Sequence, residues 1–385
     1  MSRQKILIIA SWYPSASSPV SGVFVQDQAQ ALSKKYDVAV LAPRLVGWRE
    51  ILRGKIGAPS QFNTEENLLV CRERVLAPVP RAPTLAYRRW LPAAEKSFLK
   101  LLARWGKPDL MHAHVVLPAG LAAVRMGKQH AIPVVLTEHT SPFSAHLKTS
   151  ILRRWVSETL AQVDRVIAVS PALAQQIHAF VDGIKICVIG NLIKTDFFIP
   201  AKNAEHEITR FLSVGLLTEQ KGIEFLLQAA QRLVQRGITT FELVIGGDGP
   251  ERARLERLTR SFGLANRCRF VGLLARAQVK HWMQHCDVFV LPSLHETFGL
   301  VLAEAMSCGK PVIATRCGGP EFVVTPATGV LIEPANPETL ANTMEDFIHK
   351  RLQYDPQRVR DSVVERFSET AFLKNIAEVY EQVCK

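Results

Sequence analysis

The chain has 385 residues, of which 48% are hydrophobic and 21% charged, and it carries a formal net charge of +12 at pH 7. This composition is that of a globular protein and excludes a disordered or fibrous chain, while the length predicts two domains rather than one core. No apolar run reaches the roughly 18 residues that a membrane-spanning helix needs, and seven cysteines without a C-x-x-C pair favour reduced thiols in a cytosolic protein.

The excess positive charge belongs to the first half of the chain. Residues 1–192 contain 24 Lys or Arg against 12 Asp or Glu, whereas residues 193–385 contain 23 of each kind. This asymmetry predicts an anionic partner for the first half only. Because no nucleic-acid-binding motif occurs in the sequence, an anionic lipid surface or a phosphorylated acceptor is the better candidate.

Strands and helices are predicted to alternate along the first half, which is typical of a parallel sheet covered by helices. Apolar runs predict strands at 6–10, 38–41, 110–114, 134–137, 165–169 and 185–189, and a helix near 25–34. A loop that ends at Gly22 joins the first strand to that helix. Residues 45–108 are predicted to be irregular and basic.

The second part of this basic segment has apolar and cationic residues at helical spacing. Residues 72–107 hold nine Lys or Arg against two Glu, and the apolar positions include Leu85, Tyr87, Trp90 and Trp105. Two interpretations remain open. The helix lies on an anionic bilayer through its aromatic and basic residues, or it packs on the sheet and leaves its charges in water.

Three histidines are expected to lie at the ends of two neighbouring strands. His112 and His114 end one strand, and His139 follows the next. Carboxyl ends of parallel strands form the ligand-binding edge of such a sheet, so these side chains are candidates for a site, although buried histidines are often structural. A zinc site is not predicted, because no cysteine or third strong ligand is adjacent.

The second half repeats the alternation of strands and helices. Strands are predicted at 210–215, 241–245, 269–272, 288–291 and 312–315, and helices at 223–236, 299–307 and 367–383. Lys221 directly precedes the first of these helices, where a cation opposes the helix dipole unless an anion binds there. The turn at Gly246 and Gly247 is a poor dinucleotide fingerprint, since G-x-G-x-x-G is lacking.

The loop 294–299 lies beyond the carboxyl end of a strand, where doubly wound sheets bind ligands. Backbone N–H groups of Gly299, Leu300 and Val301 open the next helix and offer donors to an anion. Glu296 and Glu304 lie on either side of these amides, and a carboxylate accepts hydrogen bonds from vicinal hydroxyls. Hydroxyls on both sides of phosphates are the layout of a nucleotide sugar.

The spacing Glu296-x7-Glu304, with Phe298-Gly299 inside it, resembles the signature of retaining glycosyltransferase family 4. The resemblance implies an α/β protein of the GT-B fold, with two Rossmann-like doubly wound domains that face each other across a cleft. Residues 1–192 would form the acceptor-binding domain and 193–366 the nucleotide-sugar-binding domain. Residues 367–385 would be a helix that crosses back to the first domain.

The resemblance also assigns residues to roles. It places Glu296 and His139 at the transferred sugar, as the catalytic pair, while His112 and His114 match a looser pattern. The implied donor-binding residues are Gly22, Lys221, Gly246, Gly247, Val271, Glu296, Thr297, Phe298, Gly299, Leu300, Val301 and Glu304. The chain departs from the family pattern at Leu216, where an arginine is usual, and at Gly22, where a glycine pair is usual.

The activity implied is that of a hexosyltransferase that moves a sugar from a UDP- or GDP-linked donor to a hydroxyl of a glycan or lipid-linked saccharide, in polysaccharide biosynthesis of the cell envelope. The enzyme would retain the sugar configuration, need no cofactor, and work peripherally at the cytoplasmic face of the cell membrane. Since no D-x-D motif occurs, Lys221 and helix amides would replace a metal. The alternatives are a non-catalytic nucleotide-sugar-binding or scaffold protein, a 2-epimerase on the same fold, and Glu296 as a nucleophile in double displacement.

Overall fold

The structure is a computed structural model that describes residues 3–15, 18–47, 60–66, 68–77, 79, 82–201 and 207–384. They form two compact α/β units. The first unit comprises Met1–Val169, Leu173–Leu192 and Phe372–Lys385, and the second comprises Ser170–Ala172 and Ile193–Ala371.

Outside the segment 45–108, strands and helices largely alternate as the sequence predicts. In the first half they are β1 (Lys5–Ala10), α1 (Val23–Ser33), β2 (Asp37–Val46), β3 (Ser60–Glu65), β4 (Leu68–Leu76), α2 (Pro83–Trp105), β5 (Leu110–His114), α3 (Leu121–His130), β6 (Val134–Glu138), α4 (Ser150–Leu160), β7 (Arg165–Ala168), α5 (Pro171–His178) and β8 (Ile186–Val188). They continue with β9 (Thr209–Val214), α6 (Ile223–Gln235), β10 (Phe241–Gly246), α7 (Arg252–Ser261), β11 (Cys268–Gly272), α8 (Arg276–His285), β12 (Val288–Leu291), α9 (Leu300–Ser307), β13 (Val312–Thr315), α10 (Pro320–Val323), β14 (Gly329–Ile332), α11 (Pro337–Ile348), α12 (Pro356–Phe367) and α13 (Glu369–Val383).

The first unit is built on an eight-stranded sheet with the order β3-β4-β2-β1-β5-β6-β7-β8. The β3–β4 pair is antiparallel, and the strands from β4 to β8 pair in parallel. The central strands are continuous apolar runs because helices cover both faces of a parallel sheet. Strand order reverses between β1 and β5, so the loops after these strands form the switch point of this unit.

The last helix of the described chain completes the core of the first unit. Phe372, Ile376 and Tyr380 of α13 pack with Ile6 and Val40 of the central strands in one buried cluster. The Tyr380 hydroxyl also lies 2.7 Å from Nδ1 of His112 on β5. The first sheet therefore depends on residues that are distant from it in sequence.

The second unit is built on a six-stranded sheet with the order β11-β10-β9-β12-β13-β14, and its strand pairs are parallel. The chain leaves β9 in one direction for β10 and β11 and later returns to β12 on the other side. The switch point therefore lies between β9 and β12, and the loops after these two strands are neighbours.

Most predicted elements of the second half are confirmed. β12 and β13 have the predicted bounds, and α9 follows Gly299, which adopts a left-handed conformation at the helix start. The helical region predicted near 367–383 forms as α13 over Glu369–Val383, and the extended backbone of Ser368 separates it from α12.

The irregular segment predicted over 45–108 is also wrong for the residues that the structure describes; residues 48–59 lie outside them. β2 continues to Val46, and β4 pairs with it in parallel. β4 also forms an antiparallel hairpin with β3. The charged residues Arg72, Glu73 and Arg74 interrupt the apolar run of β4, so the local pattern did not predict a strand. The predicted basic helix does form, as α2.

The aromatic side chains of α2 face the first unit's own core. Trp90 and Phe98 are each 1% exposed, and Trp90 Nε1 donates to the Pro43 carbonyl at 2.7 Å. Trp105 Nε1 donates to an Asp37 carboxylate oxygen at 3.0 Å. These contacts bear out the packing interpretation for the aromatic face. Within the described ranges, no helix is both long and apolar enough to span a membrane.

We predict that Tyr380→Phe lowers the free energy of unfolding of the first unit by about 1–3 kcal/mol, because it leaves a buried ring nitrogen of His112 without its partner. Chemical denaturation measures the change. Tyr36→Phe is the matched control, since Tyr36 packs edge-on against Tyr380 but does not contact His112. Equal effects of the two substitutions would contradict the role given to the hydroxyl.

Candidate functional site

The two loops at the switch point of the second unit meet through one ion pair. Lys221, in the loop after β9, donates from Nζ to Oε2 of Glu296, in the loop after β12, at 2.6 Å. Both side chains are mostly buried, with 23% and 12% exposure. The ion pair joins residues that are far apart in sequence, because β9 and β12 are adjacent strands.

This contact answers the question that the sequence raised about Lys221. A cation at a helix start is unfavourable unless an anion is near, and in the structure that anion is the Glu296 carboxylate. The charge of Lys221 is therefore already compensated within the protein. An incoming phosphate must share Lys221 with Glu296 or displace it.

Backbone contacts hold the two loops together around the ion pair. The Leu294 N–H donates to the Gln220 carbonyl at 2.8 Å, and Gln220 Nε2 donates to the His295 carbonyl at 2.9 Å. Gly222 adopts φ +64°, and a Cβ there would lie 2.0 Å from the Pro292 carbonyl oxygen. Only glycine fits this contact, so Gly222 sets how closely the Lys221 turn approaches the Glu296 loop.

The start of α9 lies beside Glu296. Gly299 has φ +86° and offers no side-chain cap, so the first amides of the helix point outward without intrahelical partners. Glu304 lies in the second turn of α9 and is 8% exposed. Phe298 is 2% exposed and packs against Phe367 with ring centroids 5.1 Å apart, so its side chain belongs to the core.

Three further predicted donor residues lie at or just after the ends of β10 and β11, next to the β9 loop. The Gly215 N–H donates to the Gly246 carbonyl at 3.0 Å, and the Gly247 N–H donates to the Gly272 carbonyl at 2.7 Å. Val271 immediately precedes Gly272 on β11. Leu216 is 61% exposed at the centre of this edge. The structure thus groups the predicted donor residues of the second unit along one sheet edge.

The first unit brings the three predicted histidines together. His114 Nδ1 lies 3.1 Å from His139 Nε2, and the rings of His112 and His114 stack with centroids 4.4 Å apart. His112 contacts the Tyr380 hydroxyl and, through Nε2, the Thr137 hydroxyl, both at 2.7 Å. His112 is therefore structural, whereas His114 and His139 form a pair in which one ring donates and the other accepts.

Burial keeps these histidines neutral. Desolvation lowers the pKa of His112 to about 3, with a smaller effect of His139, and lowers the pKa of His139 to about 4. The pKa of His114 is likewise well below its usual value, again first because of burial. At neutral pH the cluster offers polar nitrogens without positive charge.

Glu138 is a structural anchor that sequence reasoning did not single out. It accepts hydrogen bonds from the backbone N–H groups of Val116, His139 and Thr140 at 2.7, 2.9 and 2.7 Å. Burial raises its pKa, but His146 and Thr140 more than offset this and lower the pKa to about 2. The signal in the sequence is a carboxylate at a strand end directly before His139.

Gly22 precedes α1 and has φ +70°, in the loop that follows β1. The next helix brings Phe24 against His139, with ring centroids 4.6 Å apart. Gly22 and His139 thus belong to the carboxyl edge of the first sheet. The remaining predicted donor residues belong to the second unit.

Comparison with known proteins follows this division into two units. The family model for glycosyl transferases group 1 matches residues 194–365, and the model for glycosyltransferase family 4 matches residues 21–197. The chain is 27% identical over 367 residues to the putative teichuronic acid biosynthesis glycosyltransferase TuaC of Bacillus subtilis, which covers 90% of each chain.

Solved structures share the fold. Sucrose-phosphate synthase from Thermosynechococcus elongatus matches with a TM-score of 0.82 at 23% identity over 99% of each chain. HepE from Anabaena, in complex with UDP-glucose, matches with a TM-score of 0.73 at 20% identity over 98% of this chain and 99% of that one.

We predict that stability falls as the pH drops from about 6.5 towards 4. In this window the unfolded chain protonates its histidines, whose ordinary pKa is about 6.5, while the buried cluster stays neutral, so the unfolded state binds more protons. Each neutral histidine contributes a slope of about 1.4 kcal/mol per pH unit. Chemical denaturation at a series of pH values measures this slope.

The variant His114→Gln tests the source of the pH dependence. It should remove the contribution of one histidine and give a shallower dependence above about pH 5.5, where the Glu138 carboxyl, whose ordinary pKa is about 4.5, is almost fully ionised in both states. An unchanged slope in this variant would contradict the assignment.

Proposed function

The chain belongs to glycosyltransferase family 4 and has the GT-B fold, and on that premise we propose that it is a retaining hexosyltransferase. The donor is a UDP- or GDP-linked sugar, and the acceptor is a hydroxyl of a glycan or lipid-linked saccharide. The similarity to TuaC supports a role in cell-envelope polysaccharide synthesis, and the similarity to HepE, whose structure contains UDP-glucose, supports the donor class.

The observation that carries the proposal is the Lys221–Glu296 pair beside the free amides of α9. In the proposed complex the donor diphosphate lies at the N-terminus of α9, where Gly299, Leu300 and Val301 donate to it, and Lys221 neutralises its charge. Glu304 accepts hydrogen bonds from the ribose hydroxyls. Once the phosphate engages Lys221, the Glu296 carboxylate becomes available to the hydroxyls of the sugar.

The reaction then needs no protein nucleophile. The bond between the sugar's anomeric carbon and the phosphate oxygen breaks while the acceptor oxygen bonds to that carbon from the same face. The acceptor proton passes to the leaving phosphate oxygen. Lys221 and the helix amides stabilise the negative charge that develops on this phosphate, which is the role a metal ion has in other transferases.

His139 is proposed to contact the transferred sugar as a neutral hydrogen-bonding group. Its lowered pKa keeps the imidazole uncharged at neutral pH. It therefore accepts or donates a hydrogen bond but does not attract the negatively charged diphosphate away from Lys221. Its backbone N–H bonds to Glu138, and this anchor positions it for the contact.

A non-catalytic nucleotide-sugar-binding protein is the second candidate, and exposed Leu216 favours it. An apolar side chain that is 61% exposed contributes no charge to a diphosphate site, so the donor would be held by fewer cations. Turnover separates the two candidates, since a binding protein releases no nucleoside diphosphate from its ligand.

We predict that the purified protein slowly releases UDP or GDP from a nucleotide hexose in the absence of acceptor.

Lys221→Ala should weaken binding of free UDP or GDP about tenfold to a hundredfold, because one charge-assisted bond is worth roughly 1.5–3 kcal/mol. Glu296→Gln and His139→Ala should bind the nucleotide normally and lose most of the turnover. Calorimetry and product release measure the two properties.

The control for charge removal is Arg351→Gln, which removes an exposed cation of the second unit that pairs with Glu345 and Asp346. It should leave binding and turnover unchanged. Full activity in Glu296→Gln would overturn the catalytic role, and binding without any release from a panel of UDP- and GDP-hexoses would favour the binding protein.

The first unit is proposed to attach peripherally to the anionic cytoplasmic face of the cell membrane through α2. Its outward face carries cations beside Leu85 and Leu99, which are 39% and 54% exposed. The exposed cations are Arg88, Arg89, Lys96, Lys100 and Arg104. Each contributes about 1 kcal/mol near an anionic surface. Because Trp90 and Phe98 are buried, the apolar contribution falls to the two leucines.

We predict that the protein sediments with anionic vesicles, that binding falls with salt, and that replacing Arg88, Arg89, Lys96 and Lys100 by Gln weakens it. The matched control replaces the exposed residues Arg257, Arg260, Lys350 and Arg358 of the second unit by Gln and removes the same charge. Equal effects of the two sets, or equal binding to neutral vesicles, would overturn the assignment of α2.

A further inference from the structure

The backbone of Glu296 is bonded to the turn that follows β13. Its N–H donates to the Cys317 carbonyl at 3.4 Å, and its carbonyl accepts from the Gly319 N–H at 2.7 Å. Glu296 and Gly318 form an isolated parallel bridge outside the regular strands. The backbone N–H and carbonyl of Glu296, the proposed catalytic residue, are therefore both held by one short turn.

This turn approaches the Glu296 loop too closely for any side chain. A Cβ at position 319 would lie 2.2 Å from the Phe298 nitrogen and 2.4 Å from the Thr297 carbonyl carbon. Gly319 has φ −68°, which every residue adopts, so the requirement for glycine comes from space alone. A Cβ on Gly318 would lie 2.9 Å from the Glu296 carbonyl oxygen.

The other side of the turn is held by the Glu321 side chain. The Gly318 N–H donates to the two carboxylate oxygens of Glu321, at 3.2 and 3.0 Å. Glu321 belongs to α10, and its carboxylate fixes the orientation of the Gly318 amide. Removing that carboxylate loosens the turn without adding bulk to it.

A buried cluster anchors α10 in turn. The Arg366 guanidinium donates to the carbonyls of Phe322 and Val323 at the end of this helix, and it lies over the Phe367 ring at 4.5 Å. Phe367 also packs against Phe298, which lies within the Glu296 loop. The turn and the loop thus share one rigid support within the second unit.

We propose that the segment 317–321 is a positioning element that sets the place of the Glu296 carboxylate against Lys221, with Gly319 and Glu321 as its positioning residues. This inference rests on the proposed function of Glu296. None of these residues touches the substrate in the proposal. They act by fixing the backbone from which Glu296 reaches the reacting sugar.

The test compares Gly319→Ala with wild type and repeats the comparison in the Glu296→Ala background. A displacement of about 1 Å at a reacting group lowers a rate by about a hundredfold. We expect Gly319→Ala to lower kcat tenfold to a hundredfold with a UDP- or GDP-hexose, and to change the Kd for UDP or GDP less than about threefold. In the Glu296→Ala background the same substitution should change the residual rate less than about twofold.

Glu321 supplies a test that adds no bulk to the turn. Glu321→Ala should lower kcat with little change in KM, whereas Glu321→Gln keeps an acceptor for the Gly318 N–H and should restore the rate. Arg351→Lys is the control for an unrelated ion pair. Equal losses in both backgrounds, or wild-type kcat in Glu321→Ala, would overturn the positioning role.

A crystal structure of a turn variant separates this inference from the proposed function. In Gly319→Ala, or in Glu321→Ala should the first variant fail to fold, the Lys221 Nζ to Glu296 Oε2 distance should lengthen from 2.6 Å. An unchanged distance overturns the positioning role whatever the activity. A lengthened distance in a protein whose wild type turns over no donor supports the positioning and overturns only the proposed function.

Discussion

The site of the second unit depends on the contact between the loops after β9 and β12, which the strand order of the sheet brings together. β9 and β12 lie side by side although α6, two strands and two further helices separate them in sequence. Their loops therefore converge, and the Lys221–Glu296 pair forms where they do. The glycine at 222 permits the approach, and the Cys317–Glu321 segment holds Glu296 from the opposite side. The ion pair compensates both charges in a place where each side chain is largely removed from water.

The two units place different chemistry at equivalent edges. The edge of the second unit combines an ion pair with helix amides, whereas the edge of the first unit carries neutral imidazoles next to the buried Glu138 carboxylate. The Glu138 carboxylate accepts hydrogen bonds from three backbone N–H groups, so its charge stabilises the loop that carries His139. Five cations of the first unit lie elsewhere, on the outer face of α2. The charge count alone could not distinguish these two locations.

The parts of the molecule that the sequence predicted are those whose signals are local. β12, α9 and β13 follow from an apolar run, a left-handed glycine and a second apolar run, which lie within 30 residues of one another. The approach of His114 to His139 follows from parallel strands that end at one edge. In contrast, Arg72, Glu73 and Arg74 interrupt the apolar run of β4, and its parallel pairing with β2 joins residues 30 positions apart in sequence. The anion at Lys221 is 75 residues away in sequence, and the partner of His112 is 268 residues away. Local periodicity holds no information about such contacts.

The dependence of the first sheet on α13 has a consequence for synthesis on the ribosome. Strands β1 to β8 are made before most of the second unit, yet Phe372, Ile376 and Tyr380 complete their core. The core of the nascent first unit therefore stays incomplete, and the apolar surface that α13 covers stays exposed, until some 180 further residues have been translated. The second unit, continuous apart from three residues, has its whole sequence available earlier in this interval. Such an order favours folding of the second unit before the first. The apolar surface that the first unit exposes in the meantime is of the kind that chaperones bind.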